Sequence, residues 1–218
     1  MTKNKLGLNF FSLAMLAFLG LGIEILILIL NENILFNCSY NAWSPLQNIF
    51  HWIITCIVWG LFTLYLIWDA KRKYNFDIFM KRKNISKLQL ILIAACIIFS
   101  LITSYIDWNG SKIQKEFIAN GWLKFIFQYI YYVFETGLFL LIIVFSQKAG
   151  EVWFKQENIP WGGITVALTW GLAHILTKGS LSAGLITALG GLLFGIVYLL
   201  TNKNTKITFP LLLIMFAL

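Results

Sequence analysis

Residues 6–30 read LGLNFFSLAMLAFLGLGIEILILIL, an apolar run interrupted by one ionisable side chain, Glu24. At the helical rise, about 20 such residues cross the hydrocarbon of a bilayer. The run is long enough to do so, and too long for the apolar core of a signal peptide. Lys3 and Lys5 precede it and no small-x-small cleavage site follows, so it reads as a retained first transmembrane helix.

Six further apolar segments follow: Pro45–Trp68, Leu88–Ile106, Trp122–Phe145, Ile164–Leu176, Leu181–Leu200 and Ile207–Leu218. The expected fold is all-α, a polytopic transmembrane helical bundle of about seven helices. Neither an internal repeat nor a low-complexity linker divides the chain, so residues 1–218 read as a single transmembrane domain. The fifth segment is short, with Gly162-Gly163 before it and Lys178-Gly179 after it. At membrane depth such a segment needs protein around it or a water-filled cavity beside it. Composition agrees: 59% of residues are hydrophobic and 12% charged, against about 45–50% and about 25% in soluble domains. A soluble fold would lack the charges to cover its surface.

The net charge of +8 invites a nucleic-acid reading, but the positions of the charges argue against it. With loops assigned alternately to two sides, one side carries 13 of the Lys and Arg residues and the other 4, Lys112, Lys115, Lys124 and Lys178. That asymmetry is the positive-inside pattern and places the N-terminus in the cytoplasm. The partner it implies is the lipid bilayer, with the basic Ala70–Lys87 loop on anionic headgroups at about 1 kcal/mol per charge. Trp43, Trp52, Trp68, Trp108, Trp122, Trp153 and Trp161 fall near segment ends, as an interfacial belt does. Cys38, Cys56 and Cys96 have no metal-ligand or redox spacing and read as small hydrophobes.

An ionisable residue inside a transmembrane segment is expensive to keep and points to function. Glu24 comes late in its segment, at a depth where headgroups reduce the cost, and His51 opens the second segment; both read as structural. Glu135 is different, lying between Val133-Phe134 and Leu138–Leu141, too deep to snorkel. Gln128, Tyr131 and Tyr132 precede it at i−7, i−4 and i−3, so the four share one helix face. Such a polar stripe glues helices or lines a wet cavity, and a carboxyl there suits general acid–base work. His174, in Trp170-Gly171-Leu172-Ala173-His174, is the second such residue. No His-Glu-x-x-His pair, Cys/His cluster, Walker loop, Gly-x-Ser-x-Gly or dinucleotide fingerprint occurs, so no metal or other cofactor is expected.

The stretch Glu135-Thr136-Gly137-Leu138-Phe139, followed later by Trp170–His174, resembles the CPBP family, the CAAX-protease and bacteriocin-processing (Abi-type) intramembrane proteases. Their first motif reads Glu-Glu-x-x-x-Arg and their second Phe-x-x-x-His. The Gly190–Tyr198 helix, the turn Thr201–Lys206 and the pair Phe209-Pro210 resemble what lies between the family's second and third motifs. The likeness covers about 122–218, with 1–121 as extra N-terminal helices. Departures accompany it: Thr136 stands for the second glutamate, Leu140 for the arginine, Trp170 for the phenylalanine. Ile214 and Leu218 stand where the third motif, His-x-x-x-Asn, has its polar pair.

The resemblance implies an intramembrane endopeptidase. Glu135 and His174 would activate water, supported by Gln128, Tyr131, Tyr132 and Trp170. Substrates would be prenylated-type tails, leader peptides or small membrane proteins, in a bacterial plasma membrane. The two missing oxyanion donors support an alternative, a catalytically inactive member acting as a scaffold, immunity or partner-regulating protein. A proton-relaying transporter ranks behind both, because no inverted repeat or broken-helix pair is visible between the halves.

Overall fold

A computed structural model of the protein describes residues 2–80 and 82–218. Lys81 and the side chain of Lys178, both counted above among the positive charges, lie outside the described residues.

Every regular element among the described residues is helical. Helix α1 (Lys3–Leu30) continues through a π turn (Asn31–Leu35), and a short 3-10 turn (Tyr40–Ala42) leads to α2 (Pro45–Tyr74) and α3 (Lys87–Asp107). Helix α4 (Lys112–Phe154) follows, then α5 (Trp161–Val166), a second π turn (Ala167–Gly171), α6 (Leu172–Lys178), α7 (Leu181–Leu200) and α8 (Thr205–Ala217). Five are long and apolar enough to cross a membrane: α1 with its π turn, α2, α3, α4 and α7. The α5–α6 stretch, interrupted by its π turn, and α8 are shorter. With α5–α6 taken as one helix, the expected seven helices are present, and five of them have spanning length.

Polar residues at the boundaries set where the helices begin. Ser44 and Gln47 form a reciprocal capping box ahead of Pro45, and Ser86 and Gln89 form another at α3. Ser111 accepts from the Gln114 N–H, so α4 begins ten residues before the apolar stretch at Trp122. That earlier start corrects the sequence boundary. Hydropathy skips Lys112, Lys115 and Glu116, yet Lys112 and Glu116 are buried among partners and are helical. The two parts of α4 meet at Gly121, whose φ of 65° breaks the helical path in a region that favours glycine.

Helix α4 is the axis of the molecule. From Leu138 to Phe145 every side chain is buried, so it is apolar all round, as a helix enclosed by others must be. It packs against α1, α2, α5 and α8. Helices α5 and α7 touch backbone to backbone: a Cβ on Gly195 would lie 2.3 Å from the Gly163 Cα. Small residues at such a crossing are how apolar helices associate where lipid removes the hydrophobic drive.

One end of the bundle gathers three chain reversals, α2–α3, α4–α5 and α7–α8. Thr205 Oγ1 donates to the Ile78 carbonyl at 2.7 Å, Asn202 Nδ2 to the Asn84 carbonyl at 3.0 Å, and Lys203 Nζ pairs with Glu151 at 2.6 Å. At the other end Lys112 Nζ donates to the Phe216 carbonyl at 2.6 Å and Tyr129 to the Ala217 carbonyl at 3.1 Å. The α2–α3, α4–α5 and α7–α8 connections therefore share one end.

Candidate functional site

The second π turn positions the site. Its wide winding carries Trp170, and such turns recur at functional positions. Gly171 lets α7 approach, since a Cβ there would lie 2.5 Å from the Ala188 Cα. Trp170 is wedged against Phe139 at 4.9 Å between ring centroids and against His174 at 4.6 Å. Its indole N–H donates to Glu135 Oε1 at 3.3 Å. Its carbonyl lies 2.8 Å from His174 Nδ1. A carbonyl only accepts, so Nδ1 carries the proton and Nε2 is the basic nitrogen of the ring. Trp170 thus connects the two residues singled out by sequence.

Glu135, Trp170 and His174 line one cavity of about 360 Å³ between α1, α2, α4 and α6, together with Glu24 and Trp59. Its wall is otherwise mostly apolar. Trp170 and His174 also border a smaller cavity of about 130 Å³ on their other side, furnished by Ser100, Thr103, Asp107 and Thr187. The imidazole therefore sits between a mostly apolar cavity and a more polar one.

The polar stripe on α4 divides. Tyr131 turns toward α1 and α2, its ring 4.8 Å from that of Trp59, and interacts with both Glu24 and Glu135. Tyr132 and Gln128 serve a different carboxylate: Glu116 Oε1 accepts from the Tyr132 hydroxyl at 2.6 Å and from Gln128 Nε2 at 3.1 Å. Ile214 and Leu218 are exposed apolar side chains, so neither supplies an oxyanion donor.

Two residues read as structural stand elsewhere than expected. Glu24 faces the cavity, on the α1 stripe formed by the buried Ala17, Gly20, Ile27 and Asn31. His51 is buried, with Nε2 3.6 Å from Glu24 Oε1 and Nδ1 3.0 Å from Asn31 Nδ2. The spacing 17, 20, 24, 27, 31 is the signal that marks Glu24 as inward-facing. Outside the helices, burial and then the charge of Glu24 push the Tyr40 hydroxyl above its ordinary value. Among the described residues no three His, Cys, Asp or Glu side chains converge as a metal site would require.

No family model, curated protein or solved structure matches this chain. The functional reading accordingly rests on the geometry of the cavity and on the motif likeness.

Proposed function

We propose that this chain is an intramembrane peptide hydrolase of the CPBP kind, with Glu135 and His174 activating water at the apolar cavity. One observation carries the reading: Trp170 ties the glutamate and the histidine to the wall of a single cavity. Water supplied from the polar side of His174 meets an extended peptide on the apolar side. As the water oxygen adds to the peptide carbonyl carbon, Glu135 takes its proton, and His174 Nε2 orients the attacking water. Orientation also follows from charge: the basic end of the bundle, with the N-terminus, lies on the cytoplasmic face of a bacterial plasma membrane. Labelling of single introduced cysteines with a membrane-impermeant thiol reagent tests that placement.

The exposed Ile214 and Leu218 favour a second reading, a partner-binding membrane protein that keeps the fold without turnover. Removing one oxyanion donor slows an enzyme by about 10²–10³-fold. The full chain in liposomes, given a library of leader peptides and transmembrane peptides, separates the two when new termini are read by mass spectrometry. Hydrolysis lost in Glu135→Ala and His174→Ala at equal protein yield supports the hydrolase. Identical peptide patterns with wild type and Glu135→Ala leave the partner-binding reading.

A further inference from the structure

Hydrolysis by Glu135 and His174 gives no role to the buried imidazole of His51, which lies behind Glu24 at the same cavity. His51 is 2% exposed. The Asn31 amide, itself buried, donates to its Nδ1, which places the ring proton on Nε2, facing Glu24 across 3.6 Å. The ring of Trp43 packs edge-on over the imidazole at 5.5 Å. The result is a fixed chain of polar groups, Asn31 to His51 to Glu24, that ends in the cavity where Glu135 stands. A third of the Glu24 side chain remains open, and Tyr131 interacts with both carboxylates. Polar groups buried this completely are retained when they orient a working neighbour.

We propose that Glu24, positioned by His51 and Asn31, is the proton-exchange group of this cavity, receiving the proton that Glu135 takes from water. The inference rests on the reading of Glu135 as the base. As the water oxygen bonds to the carbonyl carbon, one water proton moves to Glu135. Glu135 then hands that proton to Glu24 across the cavity that both line. Glu24 then protonates the nitrogen as the C–N bond breaks. The second water hydrogen leaves on the new carboxyl group, and both glutamates end as they began. Glu24 is the catalytic residue in this scheme; His51 and Asn31 are positioning residues.

Several other groups face Glu24 and set its charge balance. Cys56 faces it from α2, and Tyr40 approaches from the turn beyond α1. Tyr131 and Glu135 face it from α4, and His174 from α6 across the cavity. Lys112 adds its positive charge at Glu135.

Dicyclohexylcarbodiimide, which adds to protonated carboxyls in apolar surroundings, reads the exchange without a substrate. The full chain in liposomes is treated across about pH 5 to 9, and adducts at residues 24 and 135 are quantified by mass spectrometry. Glu24→Gln is expected to change the labelling rate of Glu135 at neutral pH by about threefold or more, because a neighbouring carboxylate governs its proton. His51→Leu reproduces that change. His51→Gln, whose amide N–H can face Glu24, restores the wild-type rate. A purely structural histidine would lower thermal stability in both His51 variants without moving the labelling. Unchanged Glu135 labelling in Glu24→Gln, or no labelling of Glu135 in the wild-type protein over that range, overturns the proposal. Peptide cleavage measured in parallel keeps the two readings apart. Glu24-dependent labelling without cleavage preserves the exchange pair and removes the hydrolase. Cleavage that needs Glu135 but ignores Glu24 does the reverse.

Discussion

Glu116 and Glu135 lie on one helix, either side of the break at Gly121, and the bundle treats them differently. Glu116 is 4% exposed; its Oε1 takes two hydrogen bonds, from Tyr132 and Gln128, while its Oε2 is buried without a hydrogen-bond partner. Gln128 is in turn held by Asn120 at 2.6 Å, and Lys112 stands over the Tyr132 ring at 4.7 Å. Glu135 receives the Trp170 indole at 3.3 Å and otherwise opens onto a cavity. The contrast separates two uses of an intramembrane carboxylate. One closed inside the bundle, with two donors on one oxygen, fastens its neighbours together. One that opens onto a cavity has room for water and a substrate.

The strongest test of that contrast removes the charge from each in turn. Glu135→Gln keeps shape and size, and is expected to lower peptide cleavage by about 10²- to 10⁴-fold, the range for a general base. Its thermal midpoint should stay close to that of the wild-type protein. A variant that melts early yet cleaves normally would put Glu135 in the fastening class and break the comparison.

Glu116→Ala should show the opposite profile. It strips the acceptor from Tyr132 and Gln128 inside the bundle, for a loss of about 1–3 kcal/mol. Unfolding by increasing sodium dodecyl sulfate in mixed micelles measures it. Cleavage per folded molecule should not change, because Glu116 is absent from the cavity lining.

The sequence made the helices legible because lipid-facing and core-facing positions are both apolar, and length alone then decides. It made Glu135 and His174 legible for the complementary reason, that ionisable groups are rare at such depth. Three things escaped. Helical spacing put Gln128, Tyr131, Tyr132 and Glu135 on one face, but a face this wide meets two neighbours. The Lys112–Asn120 segment captures Gln128 and Tyr132, and α1 with α2 captures Tyr131. Hydropathy began the fourth segment at Trp122, so Glu116 fell outside the search. Glu24 and His51 were judged by sequence distance from a helix end. The buried stripe of α1, and the polar residues Asn48, His51 and Thr55 on the buried side of α2, instead turn both inward.

A finer cut divides the Glu116 cluster itself. Tyr132→Phe deletes one donor and leaves Gln128 Nε2 on Glu116 Oε1. The expected loss is about 0.6–1.7 kcal/mol, the range measured for interhelical hydrogen bonds in a membrane protein. A loss equal to that of Glu116→Ala would make the tyrosine hydroxyl the whole of the fastening and Gln128 a bystander.

The smallest effect supplies the baseline of an exposed carboxylate. Asp77, in the turn between α2 and α3, accepts the Phe79 N–H at 2.8 Å and lies 3.4 Å from Lys71 Nζ. The Phe79 N–H first, and the Lys71 charge after it, hold its carboxyl below the ordinary value. A value lower in the folded than in the unfolded chain means stabilisation present above the unfolded value and lost as pH falls through the folded one. Wild-type melting temperature should therefore decline below about pH 4, and Asp77→Asn should flatten that decline slightly. Water competes for every bond at Asp77, so its signal should be the weakest of the set. An acid-range effect in Asp77→Asn as large as the loss in Tyr132→Phe would mean that burial adds nothing to a hydrogen-bonded carboxylate here, and the division between Glu116 and Glu135 would lose its physical basis.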